Sequence, residues 1–451
     1  MRFHRLMDAR LRYHQSGTIV LLLLSSTVGD NVEYNCSTMS NLAFSKPERL
    51  VSLDQFRGYT VVGMLFVNYF GNYKVCPQVF KHTHDYCSYA DTIMPQFLFA
   101  VGFALRLSFG RRLQKQKSVG DYSRMIRRLL GLVLISLVVY QVAPRAANWG
   151  QLKELGFWST ISIPLKRDWF QTLMHIAVTS LWILPVVHCK PSVRVVWMLG
   201  SAFAHVVLSY WFNFDWVNSD PRGIDGGPLG FLTWTIPAIV GTLACDVFLQ
   251  PRSQLQLGSP ILMRVLFASL FAMGLGYAIS CGTRLYDAPD PLVEFSKSEK
   301  WANDPVWPEA ARIKGKIESA KSAGNSVSLW LAEPPFVMPP GKEKRQWNYW
   351  MMSQRGGTLA YVVFSAGFSL AVYLAFFVLS DLWGIQFSFF RTFGTNALTA
   401  YVIHMLVSDA LQSFFPKDSP VWFAVIGLLL FFAIVWLFVR RLEKEGVYLR
   451  V

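Results

Sequence analysis

Long apolar runs separated by short polar ones set the pattern of this chain. At least nine stretches approach or exceed the roughly 18 apolar residues that mark a membrane span. The pattern predicts spans near 58–75, 91–110, 126–143, 169–188, 194–213, 229–249, 260–281, 358–380, 392–412 and 420–439. The expected fold class is therefore all-α: a polytopic membrane helix bundle of about ten transmembrane helices with one long loop. The domain reading comes from the same runs. Residues 1–44 form an N-terminal extension, 45–281 carry the first seven spans, 282–357 are a polar loop or cap, and 358–451 carry the last three. No internal repeat stands out.

Charge fixes an expected orientation. Arg111, Arg112, Lys115, Lys117, Arg124, Arg127 and Arg128 cluster between the second and third spans, which by the positive-inside rule is a cytoplasmic segment. Lys190, Arg194, Arg252, Arg264, Arg391 and the tail with Arg440, Arg441 and Lys444 then fall on that side. Both termini are expected in the cytoplasm, in an inner (cytoplasmic) membrane, with the loop after span one and the 282–357 segment outside. The extension complicates this. Arg2, Arg5, Arg10 and Arg12 precede an apolar Thr18–Gly29 stretch that looks signal-like but is too short to span. A start at Met39, or a dispensable extension, reconciles it with the orientation.

Composition narrows the function. Hydrophobic residues make up 53% of the 451 and charged residues 16%, against roughly 25% charged in soluble domains. The net charge of +15 sits between the apolar runs, so it reads as topology rather than as a nucleic-acid footprint. The six cysteines make no C-x-x-C pair, and neither a P-loop nor an H-E-x-x-H motif occurs. ATP-driven transport by this chain alone and zinc hydrolysis lose their support, and no metal is expected. Cys76 and Cys87 share one outer loop and are expected to pair in an oxidising compartment.

Chemistry inside a membrane protein is sought at polar residues within spans or at their mouths. Asp54 and Arg57 open span one, Asn68 lies within it, His82, His84 and Asp85 come next in the loop, and Asp91 opens span two. Each also has a plain structural role. Arg57 can be a membrane anchor paired with Asp54, Asp91 a charge at a helix start, Asn68 interhelical glue. Asn396, Tyr401 and His404 form a second set in span nine, and Gly223, Gly226 and Gly227 suggest close backbone approach in an outer loop.

The first block resembles a known family. R-L-V-S-L-D-Q-F-R-G at 49–58, Met64 to Asn68, Lys81-His82, and Ala90-Asp91 through Pro95, Phe97, Phe99 and Gly102 match the pattern of the heparan-α-glucosaminide N-acetyltransferase family. Weaker echoes stand at 220–234 and 394–404. The resemblance implies a membrane acyltransferase that uses cytoplasmic acetyl-CoA as co-substrate and acetylates an amino sugar or other glycan acceptor across the membrane. It makes 71–90 the catalytic loop, His82 the catalytic residue and Asn68 its neighbour. The family's usual W-x-G between the histidine and A-D is replaced here by T-H-D-Y-C-S-Y, so His84 stays beside His82 as a candidate. A loop histidine could act as general base or take the acetyl group itself, and Asn68 could steady the carbonyl oxygen. The expected site residues are His82, Asn68 and Asp91 for catalysis, with Arg57, Asp54, Asn396 and His404 toward the co-substrate. Expected partners are acetyl-CoA, the acceptor and the bilayer, with a homodimer allowed. A secondary transporter for an amino sugar is the alternative, although transporters show repeats and paired broken helices.

Overall fold

The structure is a computed structural model that describes residues 50–113, 119–140, 142, 146–288, 294–296, 299–322, 324 and 327–449. The 1–44 extension with Met39, and Lys115 and Lys117 of the basic segment, lie outside the described residues. All the helices named below belong to the compact unit that begins at Leu50.

Each apolar run folds as a helix, because in hydrocarbon a backbone must satisfy its own hydrogen bonds. In chain order these are α1 (Val51–Phe70), α2 (Ile93–Leu113), α3 (Val119–Val139), α4 (Trp149–Ile163) and α5 (Thr172–Ile183). Then come α6 (Pro191–Asn218, with a π turn at Ser209–Asn213), α7 (Phe231–Phe248), α8 (Pro260–Ser280) and α9 (Ala310–Ser322). The chain closes with α10 (Leu359–Phe376), α11 (Ser388–Thr395), α12 (Ala397–Gln412) and α13 (Val421–Lys444). No strand occurs among the described residues, only isolated bridges at Asp287–Arg345 and Trp301–Trp347. Among the described residues, six helices are long and apolar enough to cross a membrane. The remaining expected spans are the more polar or shorter α1, α3 and α5, and the α11–α12 pair.

Two departures from the sequence pattern stand out. The ninth expected span is broken at Asn396, whose backbone leaves the helical region (φ −128°, ψ 45°). Its side chain is occupied by the tail: Nδ2 donates to the Val447 carbonyl at 3.1 Å, and Oδ1 accepts from Thr399 Oγ1 at 2.7 Å. Helix α4 was not expected at all. Asn148 caps it by accepting from the Gln151 amide, and it carries exposed Trp149, Phe157 and Trp158.

Burial separates an inner from an outer layer. The apolar windows of α2 and α7 are 78% and 72% buried, whereas those of α6, α8 and α13 are 22% buried. The outer helices turn Phe203, Phe267, Phe271, Trp422 and Leu429 outward. An outward apolar surface of this extent is what a lipid-facing layer requires. Where inner helices cross, glycines bring backbones into contact. A Cβ on Gly102 of α2 would sit 1.9 Å from the Ala238 carbonyl oxygen of α7, and one on Gly241 would sit 2.1 Å from that of Phe99. Such small-residue seams are how helices pack tightly without a hydrophobic drive between them.

The 282–357 segment folds as a cap with its own apolar centre of Val306 and Tyr349 packed with Phe214 at the end of α6. Most of its ion pairs converge on two acids, Asp287 and Glu333. Arg345 donates to Asp287 at 2.5 Å and to Glu333 at 2.8 Å, while Arg284 and Lys316 each reach Asp287 at 3.3 Å. The cap is tied to the loop after α1, where the Phe336 amide donates to the Cys87 carbonyl at 2.8 Å.

The expected Cys76–Cys87 disulfide is corrected by the structure, which holds both thiols free. Closeness in sequence does not align them. Cys76 is buried in the cluster around Tyr69 and Tyr73, and Cys87 packs in another with Met94 and Tyr361, its Sγ 4.0 Å from Ser365 Oγ. Burial pushes both thiol pKa values up.

Candidate active site

The loop 71–90 is short and rich in turns, so its shape depends on side chains that tie it down. Asp91, at the mouth of α2, does most of this. Its carboxylate is fully buried. Oδ2 accepts from the Ser88 amide at 3.0 Å and Ser88 Oγ at 2.9 Å, and Thr83 Oγ1 lies 2.9 Å away. Oδ1 lies 2.9 Å from His82 Nδ1. The Asp91 carbonyl in turn accepts from Tyr361 Oη on α10 at 2.5 Å. One carboxylate thus folds the loop back on itself and fixes the plane of the His82 ring.

His82 keeps 45% of its side chain accessible while Nδ1 is turned onto the buried Asp91. Its Nε2 makes no hydrogen bond among the described residues. Burial alone would lower the His82 pKa. The hydrogen bond and charge of Asp91, with the charge of Asp225, outweigh it, and the pKa rises above 6.5. His84 goes the other way. Burial and the Arg355 charge bring it down to about 4, and its Nδ1 is buried without a partner. At neutral pH, His84 is therefore an uncharged ring.

Both histidines line a cavity of about 860 Å³ between this loop, Arg222 in the loop after α6, and the cap. The cap contributes Arg284, Lys300, Arg312, Lys316, Lys344, Arg345 and Arg355 to its walls, against the acids Asp85, Asp287 and Glu333. The site is a strongly basic chamber with an oriented histidine on its wall.

Two groups that sequence reasoning passed over shape this chamber. Asp225 is buried, stands in the left-handed region (φ 53°), and accepts from Gln354 Nε2 at 2.6 Å. Burial lifts its pKa to about 6, against the lowering by His82 and Gln354. A strained, buried carboxylate is a mark of a working site. The only signal in the sequence was its place in I-D-G-G, which reads as a turn. The Gln354–Thr358 stretch is the second. The Gly226 amide donates to the Arg355 carbonyl at 2.9 Å and Thr233 Oγ1 to that of Gly357 at 2.8 Å, which clamps the Asp225 loop to the cap. Nothing marked it within a long polar segment.

The other expected residues lie elsewhere. Asn68 Nδ2 sits 3.2 Å from His404 Nε2, joining α1 to α12, and neither residue lines the chamber. The His404 ring also reaches the Tyr401 carbonyl, and Tyr401 meets Tyr140, just past the end of α3, through their hydroxyls. Asn396 is held by the C-terminal tail. Asp54 and Arg57 stand in the first turns of α1, about 20 Å along the helix axis from its end at Phe70. The structure therefore brings His82 and Asp91 together, pairs Asn68 with His404, and leaves Asp54, Arg57 and Asn396 apart from both. Among the described residues no cluster of three metal-ligating side chains occurs.

Residues 49–221 match the family described as heparan-alpha-glucosaminide N-acetyltransferase, catalytic. The match holds His82, Asp91, Asn68, Asp54 and Arg57, and stops short of Asp225, the cap and α12. No curated protein matches the chain.

Proposed function

We propose that this chain, whose residues 49–221 carry the heparan-alpha-glucosaminide N-acetyltransferase catalytic match, moves an acetyl group from acetyl-CoA to the amine of an amino sugar or related glycan. The observation that carries the reading is the His82–Asp91 pair on the wall of a chamber large enough for a sugar.

The chemistry comes from the pair. With its proton on Nδ1, held by Asp91, the imidazole presents the Nε2 lone pair to the chamber. The acceptor nitrogen forms its bond to the acetyl carbonyl carbon as Nε2 takes the amine proton. The carbon–sulfur bond then breaks, and the imidazolium returns that proton to the departing thiolate. Asp91 keeps the ring in the right tautomer and offsets the transient positive charge. Asp225 adds negative charge near His82 to that of Asp91. Orientation rests on charge. Arg124, Arg127 and Arg128 of α3, with Arg440, Arg441 and Lys444 of α13, favour a cytoplasmic face opposite the cap, which sets His82 on the outer side.

Transfer of labelled acetyl from acetyl-CoA to an amino sugar, measured in membranes, tests the reading. His82→Ala should lose at least about a hundredfold in turnover at unchanged expression, and His84→Ala should lose less. Uptake of the sugar without transfer by the wild type would support the transporter alternative instead.

A further inference from the structure

One guanidinium in the chamber is incompletely partnered: only the more distant charges of Asp220 and Asp85 act in its favour. Arg355 is 8% exposed, and its Nη1 is buried without a hydrogen-bond partner. It forms no ion pair among the described residues. Two of the acids on the chamber wall, Asp287 and Glu333, serve Arg345, Arg284 and Lys316, and Asp220 pairs with Arg222. Trp347 is what Arg355 does have. Its guanidinium carbon stands 5.7 Å from the ring centroid, and Lys300 Nζ stands 5.8 Å from the same centroid. A cation–π contact holds the group in place but does not satisfy its forked donors. Arg222 lines the same chamber, and its bond to Asp220 is long at 3.3 Å, with both side chains at least half exposed. Burial, with the charges of Arg222 and Arg167, lowers the Arg355 pKa to about 10. A buried cation pressed by like charges is a costly arrangement unless something anionic completes it.

We infer that Arg355, with Arg222 and Lys300 beside it, is the seat of an oxyanion — a phosphate, sulfate or carboxylate — carried by a substrate of the His82 site. The planar fork on Arg355 suits two-point recognition of such a group. The packed Trp347 ring presets its orientation, and the clamp through the Arg355 carbonyl fixes its backbone. The anion has two sources in the proposed reaction: the phosphates of coenzyme A, or an acidic substituent on the acceptor. The inference depends on the proposed function for its choice of substrates, while the binding itself does not.

The test is equilibrium binding to the full-length protein in nanodiscs. The probes are glucosamine 6-phosphate and adenosine 3′,5′-bisphosphate, each against its phosphate-free counterpart. Wild type should bind at least one phosphorylated probe more tightly than its counterpart. Arg355→Gln should weaken that probe about tenfold or more, and Arg355→Lys should recover part of the loss. Loss confined to glucosamine 6-phosphate assigns the anion to the acceptor, and loss confined to the bisphosphate assigns it to the donor. Arg222→Gln, at an exposed position, should weaken the same probe less. If Arg355→Gln does not fold, an unaltered affinity in Arg222→Gln overturns the assignment. Equal binding of phosphorylated and plain probes by wild type, or by Arg355→Gln as by wild type, also overturns it. Arg355-dependent binding in a protein that shows no acetyl transfer would remove the acyltransferase reading and leave the anion site standing.

Discussion

Asp91→Asn is the most informative single change, because it alters one atom and leaves the loop's other ties in reach. In the native protein Oδ2 serves Ser88 and Thr83 while Oδ1 faces His82 Nδ1 at 2.9 Å. An amide that keeps its oxygen toward Ser88 must point its NH2 at His82. Nδ1 then has to accept, the proton moves to Nε2, and the lone pair needed for base catalysis is gone. Loss of the charge-assisted hydrogen bond costs about 1.5–3 kcal/mol, and the wrong tautomer about 10³–10⁴ in turnover. The pH profile adds a second readout. Asp91 and Asp225 raise the His82 pKa above 6.5, so the protonated His82–Asp91 pair stabilises the loop fully below the unfolded value. That contribution fades as pH climbs through the raised value. The base form behaves oppositely, and the rate should rise with pH through that same raised value. Removing the Asp91 charge should move the acid limb of the residual rate to lower pH and reduce the loop's pH-dependent stability. Transfer rates from pH 5 to 9 for the two proteins, with acetyl-CoA saturating, decide it. A variant with wild-type turnover and an unmoved acid limb would show that Asp91 does not govern His82.

Two further outcomes are expected. A cysteine introduced at Lys81 should react with a membrane-impermeant thiol reagent added from outside, and labelling only after permeabilisation would reverse the proposed orientation. Asn68→Ala and His404→Ala should each lower activity or stability, and their double variant should fall short of the sum by about 0.5–3 kcal/mol, since the two side chains meet at 3.2 Å; additive losses would mean that the contact does no joint work.

Membrane helices were legible because the constraint that makes them is local: a long enough apolar run has few other ways to satisfy its backbone. The same logic failed where that condition is not met. Lys153 and Glu154 interrupt the apolar run of α4, which kinks at Gly156 and never reaches spanning length, so nothing in the run announced it. The α11–α12 break lies in an apolar stretch without proline. It is made by hydrogen bonds to Val447 and Leu449, some fifty residues on. At the site, the motif made both His82 and Asp91 candidates for catalysis. Their pairing was not readable, because it depends on how Thr83 and Ser88 fold the loop. Asp225 hid among glycines and Arg355 among the many charges of the cap. Their significance comes from burial, which composition does not display. The cysteines erred in the other direction, where nearness along the chain suggested a bond that packing into two separate clusters prevents.

The seam between α2 and α7 restricts traffic. With Gly102 set against the Ala238 carbonyl and Gly241 against that of Phe99, the two backbones leave no gap that a water molecule, much less a pantetheine-sized chain, could enter. Opening one would mean prising apart the two most deeply buried helices of the bundle. At these two crossings the contact is backbone against backbone, so a route between the faces of the bundle cannot run between α2 and α7 there.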